Sequence, residues 1–172
     1  GSHRERFTKP YEIQKLSKNV YWVSISNYNV TVLVGDKGVL LIDAPHGTGK
    51  NLLNAIKSIT NKPLMAVLYS HAHADHIGDS RVIVQELGLG NIDIIASQEV
   101  HDNLISHKVT LPLPVTKIIA DELTFEKYHI KAFSNFNGHT QDNNAFLIED
   151  GGRKIIHAID LVHPDQLEFR SF

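Results

Sequence analysis

The sequence predicts an α/β fold, with α+β character, in which strands and helices form separate layers. Short runs of valine, isoleucine and leucine alternate with segments whose apolar residues recur at helical spacing. Consecutive strand-like runs near both ends of the chain predict hairpins beside these strand–helix units. The chain has 172 residues, 42% of them hydrophobic and 21% charged, so we expect one domain with a substantial core over residues 4–172.

The first third of the chain predicts a meander, then a helix and a buried strand. The meander strands are expected at residues 20–26, 28–34 and 39–42, and the last of them ends at Asp43. A helix is then expected, because one set of apolar residues has helical spacing: Leu52, Leu53, Ile56 and Ile59. A buried strand follows at residues 64–69.

The remaining two thirds continue the alternation and end in a hairpin. Asp79 or Ser80 is expected to cap one helix, and Ser97 to cap another that ends near His107. The predicted strands lie at residues 91–96, 124–133, 144–148 and 154–159, with a turn of Asp150, Gly151 and Gly152 between the last two.

The most unusual stretch is His71-Ala72-His73-Ala74-Asp75-His76, which directly follows a predicted buried strand. Imidazole and carboxylate groups are ligands that suit zinc, manganese or iron. In an extended loop the first two histidines can serve one metal, while the aspartate and the last histidine face a second. Loops after the carboxyl ends of strands are common positions for such sites.

Two later residues, His139 and Asp160, are further candidate ligands. His139 follows Gly138 in a loop between two predicted strands, and Asp160 ends the last predicted strand. Both lie at the edge of a loop, as the first cluster does, so a metal-dependent enzyme is the leading hypothesis.

These motifs, in this order, resemble the metallo-β-lactamase-fold hydrolase superfamily. The resemblance extends from about residue 20 to about residue 165, nearly the whole chain. It implies a four-layer αββα sandwich. The motifs that carry it are Ser70-His71-Ala72-His73-Ala74-Asp75-His76, Gly138-His139-Thr140-Gln141-Asp142-Asn143 and Ile159-Asp160.

The resemblance also implies a role for each candidate residue. The first metal would be held by His71, His73 and His139, and the second by Asp75 and His76, with Asp160 bridging the two. Asp75 would also be catalytic, since it would orient the attacking hydroxide and pass its proton to the leaving group. Asp43 would be a carboxylate behind the ligands that orients one of them.

The chain departs from the family pattern towards its C-terminus. The family supplies a further histidine to the second metal, but no histidine follows His163, which lies only three residues after Asp160. We therefore expect that roughly a quarter to a third of a usual domain is missing. A weakly held second metal is expected, as is self-association if the shortened fold exposes a core edge. Residues 1–3, Gly-Ser-His, are expected to be a tag remnant.

The implied function is that of a metal-dependent hydrolase with one or two zinc ions, or with manganese or iron in their place. A metal-bound hydroxide would cleave an ester, thioester, lactone, lactam or phosphodiester of a small molecule. Sulfate esters are also substrates of proteins with such a cluster. The absence of cysteine excludes thiolate ligands and cysteine nucleophiles.

Two other classes stay open at this point. One is an iron-dependent redox enzyme on the same fold, because ligands alone do not identify the metal. The other is a non-catalytic metal-binding protein. The net charge of −2 argues against nucleic-acid partners, and the sequence contains no apolar run long enough for a transmembrane helix. A cysteine-free chain fits a cytoplasmic or a secreted protein equally.

Overall fold

The computed structural model describes residues 10–72, 77–110, 112–134 and 144–158. Within these ranges, eleven strands form two sheets and three helices cover one face of the first sheet. The strands are β1 (Glu12–Ser17), β2 (Val20–Ile25), β3 (Tyr28–Val34), β4 (Val39–Ile42), β5 (Leu64–Leu68), β6 (Gly88–Ser97), β7 (Lys117–Ile119), β8 (Glu122–Phe125), β9 (Tyr128–Ser134), β10 (Asn144–Asp150) and β11 (Arg153–His157). The helices are α1 (Gly49–Ile59), α2 (Ser80–Leu87) and α3 (Gln98–Ser106).

The first sheet contains β1 to β7 in chain order. Its first four strands are antiparallel, as the predicted meander requires, and they are joined by short turns. From β4 onwards the neighbours are parallel, because each connection crosses over through a helix. The carboxyl ends of β4, β5 and β6 therefore lie at the same edge of this sheet.

The second sheet is an antiparallel meander with the order β11, β10, β9, β8. The single strand expected over residues 124–133 is wrong, since a turn at Glu126 divides this stretch into β8 and β9. Glu126 has a φ of 49°, and its carboxylate accepts a hydrogen bond of 2.7 Å from the backbone N–H of Asp36. A contact 90 residues away in sequence therefore stabilises this turn, and a local pattern does not reveal it.

The sequence analysis also did not predict the short strand β7 or the strand β1. Among the described residues, β1 forms one edge of the first sheet and pairs with β2 alone. Most of its side chains are exposed, so it lacks the apolar alternation from which a strand is predicted.

Two separate cores hold the layers together. One lies between the helices and the first sheet and includes Leu41, Leu52 and Val67. The other lies between the two sheets and includes Leu40, Ile130 and Phe146. Neighbouring residues of β4 thus face opposite cores, as the period of two along a strand requires.

The two stacked sheets with helices on the first confirm the predicted α/β sandwich. Three of the four expected layers lie within the described ranges, where no helix packs on the second sheet. In the same part of the chain, no helix has the length and apolar character needed to cross a membrane.

One of the two expected side-chain caps is formed. Ser97 caps α3 as predicted, because its hydroxyl accepts a hydrogen bond of 3.2 Å from the backbone N–H of Val100. Asp79 occupies the N-cap position of α2 without capping that helix through its side chain. Its carboxylate instead accepts a bond of 2.7 Å from the N–H of Gly49, the first residue of α1, and so joins the two helices.

Candidate metal centre

The candidate site begins where β4 and β5 end side by side. Asp43 directly follows β4 and has a φ of 70°, a left-handed conformation that aspartate and asparagine tolerate better than most residues. Its backbone N–H donates to the carbonyl of Leu68 at 3.0 Å, so Asp43 continues the parallel pairing by one more bond. The tight conformation turns the chain away from the sheet at this point.

The carboxylate of Asp43 is buried and accepts three hydrogen bonds. Its Oδ1 accepts from the N–H of Ser70 at 2.9 Å, and its Oδ2 accepts from the hydroxyl of Ser70 at 2.6 Å. Nε2 of His157 lies 3.3 Å from the same Oδ2. Burial alone would raise the pKa of Asp43. The hydrogen bond and electrostatic interaction with His157, the electrostatic interaction with His71 and the bond from Ser70 together hold this pKa below its ordinary value of 3.8.

Ser70 connects this carboxylate to His71, the first predicted ligand. Its Oγ lies 3.0 Å from Nδ1 of His71, whose ring is buried. A carboxylate can only accept, so the single hydroxyl proton of Ser70 is used towards Asp43. Ser70 therefore accepts from Nδ1 of His71, which places the ring proton on Nδ1 and the lone pair on Nε2.

The second sheet reaches the same edge through the end of β11. His157 is its last residue, and besides the contact with Asp43 its Nδ1 lies 2.7 Å from the hydroxyl of Thr31 on β3. Phe146 of β10 pairs with His157, and Asn144 of β10 pairs with Ser134 of β9. The ends of β9 and β11 and the start of β10 therefore lie at one end of the second sheet, next to Asp43.

Of the predicted ligands, His71 is among the residues that the structure describes. It lies at this edge, three residues after the end of β5. The other predicted ligands lie outside the described residues and stay predictions: His73, Asp75, His76, His139 and Asp160. In the described ranges, no group of three or more histidine, cysteine, aspartate or glutamate side chains is placed to hold a metal ion.

The described strands nevertheless border every stretch that carries a predicted ligand. The cluster at 71–76 follows β5, the loop with His139 joins β9 to β10, and Asp160 follows β11 by three residues. Three stretches that are far apart in sequence are thus attached to strand ends that meet around Asp43.

Sequence reasoning missed the participation of His157 and Thr31. Both are buried polar residues on strands that also contribute apolar side chains to the core between the sheets. A histidine three residues before a candidate ligand is the one signal that could have pointed to this arrangement. By contrast His46, in the loop after Asp43, is largely exposed, and its Nδ1 lies 3.4 Å from Oδ1 of Asp79.

Comparison with known proteins gives consistent results. The family model described as the metallo-beta-lactamase superfamily matches residues 25–172. An (R)-specific secondary-alkylsulfatase of Pseudomonas is 31% identical over 86 residues, which is 47% of this chain and 13% of the relative. A probable metallo-hydrolase of Streptococcus pyogenes is 45% identical over 53 residues, or 31% of this chain and 22% of the relative.

Solved structures with the same fold are more distant in sequence. The structure of BJP-1, a subclass B3 metallo-beta-lactamase of Bradyrhizobium japonicum, superposes with a TM-score of 0.68 at 19% identity. The match covers 89% of this chain and 63% of BJP-1. The chain therefore spans less than two thirds of the length of each protein named in these comparisons.

Proposed function

Because the chain belongs to the metallo-beta-lactamase superfamily, we propose that it is a metal-dependent hydrolase acting on a small-molecule substrate. The observation that carries this proposal is the meeting of strand ends around Asp43. There the carboxylate receives hydrogen bonds from Ser70 at the end of β5 and from His157 at the end of β11. The stretches with the predicted ligands are attached at these ends.

The donor set fits zinc. Neutral imidazole and carboxylate groups in a cysteine-free chain are ligands that zinc accepts, and manganese or iron is compatible with the same set. We assign His71, His73 and His139 to a first ion, and Asp75 and His76 to a second, with Asp160 shared between them. The Nδ1 proton of His71 favours this assignment, because a ring protonated at Nδ1 presents the lone pair of Nε2 to a metal.

The chain's own residues would divide the work as follows. Bound zinc would activate a water molecule and polarise the scissile bond. Asp75 would orient the attacking water and carry a proton to the leaving group. Asp43 and Ser70 would hold the ring of His71 in one orientation, so that the ligand is in place before a substrate arrives.

For the substrate we favour a sulfate ester over a lactam. The Pseudomonas relative at 31% identity is an alkylsulfatase, whereas the similarity to BJP-1, at 19% identity, concerns the fold alone. Carboxylic esters, thioesters, lactones and phosphodiesters are the other classes to assay. An iron-dependent redox enzyme and a non-catalytic metal-binding protein are the outcomes to distinguish from a hydrolase.

Metal analysis of the purified chain tests the proposal. We expect one or two equivalents of zinc in the wild-type chain, and loss of the first ion in His71→Ala or His139→Ala. Replacement of the partly exposed His101 on α3 by alanine is the matched control and should leave the metal content unchanged. Unchanged metal content in either ligand variant would refute the assignment.

Activity assays then identify the reaction. At least one substrate in a panel of alkyl sulfates, lactams, carboxylic esters, thioesters, lactones and phosphodiesters should be hydrolysed. A chelator should abolish this turnover. Asp75→Asn should retain metal and lose turnover. Predominant iron with redox activity would support the redox enzyme, and bound metal without turnover of any substrate would support a metal-binding protein.

A further inference from the structure

We propose that His157 is a positioning residue of the candidate metal centre. In this role it holds Asp43 in place, and Asp43 in turn holds His71 through Ser70. The inference rests on the metal-dependent function proposed above and adds to it a residue that belongs to none of the three ligand motifs.

The contacts of His157 are those of a residue held from two sides. Its side chain is 2% exposed. Nδ1 lies 2.7 Å from the hydroxyl of Thr31, and Nε2 lies 3.3 Å from Oδ2 of Asp43. The ring of Phe146 packs against the imidazole at a centroid distance of 6.3 Å. Since Thr31 is also fully buried, water does not compete for these bonds.

The directions of the hydrogen bonds follow from the acceptor character of Asp43. The carboxylate can only accept, so Nε2 of His157 carries the proton and donates. In a neutral imidazole Nδ1 then accepts from the hydroxyl of Thr31, so that both ring nitrogens have a partner. The resulting chain of bonds runs from Thr31 through His157, Asp43 and Ser70 to His71.

This chain of bonds joins the two sheets at the candidate site. Thr31 and Asp43 belong to the first sheet, and His157 ends a strand of the second. The core between the sheets is mainly apolar, and Tyr128 supplies a second buried polar contact between them, from its hydroxyl to the carbonyl of Val34 at 2.6 Å. Buried polar groups cost free energy unless each one is hydrogen bonded, so a polar connection at this point fixes one relative position of the sheets more strictly than apolar packing does.

His157 also lies close in sequence to a predicted metal ligand. Asp160, the residue assigned to bridge the two ions, follows His157 by three residues. By fixing the end of β11 against Asp43, His157 restrains the point from which the chain continues towards Asp160. The same contact holds Asp43 behind His71, so one side chain aligns ligand-bearing segments of both sheets.

Zinc affinity and apoprotein stability, measured on the same variants, test the inference. The dissociation constant for zinc comes from competition with a chelator, and stability comes from urea unfolding of the metal-free chain. We expect His157→Leu to weaken zinc binding by about tenfold or more, the effect typical of residues behind metal ligands. His157→Gln should weaken it less, because its amide can still donate to Asp43.

Ile155→Ala is the matched control on the same strand. Ile155 is buried in the core between the sheets and has no side-chain group that could bond to Asp43. This variant should lower stability and leave zinc affinity within about twofold of the wild type. Equal loss of zinc affinity in Ile155→Ala and His157→Leu would mean that His157 acts only through general stability, and would overturn the inference.

Thr31→Val keeps the inference testable if His157→Leu does not fold. The substitution removes the hydroxyl that holds Nδ1 of His157 and changes the volume little, and we expect zinc affinity to fall several-fold. Wild-type zinc affinity in this variant, or in a folded His157→Leu, would overturn this inference and leave the proposed function standing. A wild-type chain that binds no zinc would overturn the proposed function and this inference together.

Discussion

Replacement of Asp43 by asparagine tests the central carboxylate of the site. Asparagine keeps the shape of the side chain and tolerates the φ of 70° found at this position. It removes the charge and replaces one acceptor oxygen with a donor. The perturbation is therefore confined to the bonds with Ser70 and His157.

The expected loss of stability follows from those bonds. Hydrogen bonds to a charged group contribute roughly 1 kcal/mol more than neutral ones, and Asp43 accepts three. Its lowered pKa shows that the contacts with His157, His71 and Ser70 outweigh the cost of burial. We expect Asp43→Asn to lower the free energy of unfolding by about 1 to 3 kcal/mol, which corresponds to roughly 2 to 12 °C in melting temperature for a chain of this size.

The difference in stability between the wild type and Asp43→Asn should depend on pH in one direction. The pKa of Asp43 is lower in the folded chain than its ordinary value of 3.8. Its contribution is therefore complete at neutral pH, and it is lost as the pH falls below about 4 through the folded-state pKa. The gap in stability between the wild type and Asp43→Asn should be largest at pH 7 and should narrow in acid.

Urea unfolding of the chelator-treated chain at several pH values is the assay. Asp79→Asn is the control, because the carboxylate of Asp79 accepts one backbone bond that an amide oxygen can retain, and its cost should be about 1 kcal/mol or less. Wild-type stability of Asp43→Asn at pH 7, or a gap that stays constant as the pH falls, would refute the reasoning.

The same substitution should also change the proton position on His71. An asparagine amide can donate to Ser70, whose hydroxyl proton then turns towards Nδ1 of His71. The ring would carry its proton on Nε2, the atom assigned to the metal. We expect zinc affinity to fall by about 10- to 100-fold, and unchanged affinity would contradict the derived tautomer.

Two further predictions concern the scaffold around the site. Tyr69→Phe should lower the free energy of unfolding by about 1 to 2 kcal/mol. The buried hydroxyl of Tyr69 contacts Oγ of Ser80 and the carbonyl of Leu113, each at 2.7 Å. An unchanged urea midpoint would show that these bonds contribute nothing. Ser97→Ala should lower the free energy of unfolding by about 1 kcal/mol, because it removes the cap of α3. Ser106→Ala, at the exposed end of the same helix, should leave it almost unchanged. Equal falls in melting temperature for the two variants would refute the capping role.

Much of the fold could be predicted from local patterns, because one face of most elements is buried. The apolar residues of α1 recur at helical spacing, and those of β4 and β5 form continuous apolar runs, as strands buried on both faces do. The prediction failed where long-range contacts decide the structure. β1 is formed by pairing with β2 while its side chains stay largely exposed, and Glu126 turns the chain through contacts with a distant turn.

The candidate site divides in a similar way. The cluster at 71–76 could be identified because its side-chain chemistry and spacing point to metal binding without any knowledge of the fold. The contribution of His157 could not be derived from local patterns, because its partner Thr31 lies 126 positions away in the sequence. The role expected for Asp43 stays a prediction, with the bonds through Ser70 as its support.

The sequence by itself determined the class of fold and predicted the chemistry of the candidate site, since ligand type and backbone period are properties of residues and their near neighbours. It predicted metal binding by the histidine cluster, with no cysteine in the 172 residues to supply a thiolate. The tertiary structure alone decided which strand ends meet, and hence that Asp43 receives Ser70 from one sheet and His157 from the other. Such contacts depend on how two sheets stack, and stacking is a property of the whole chain.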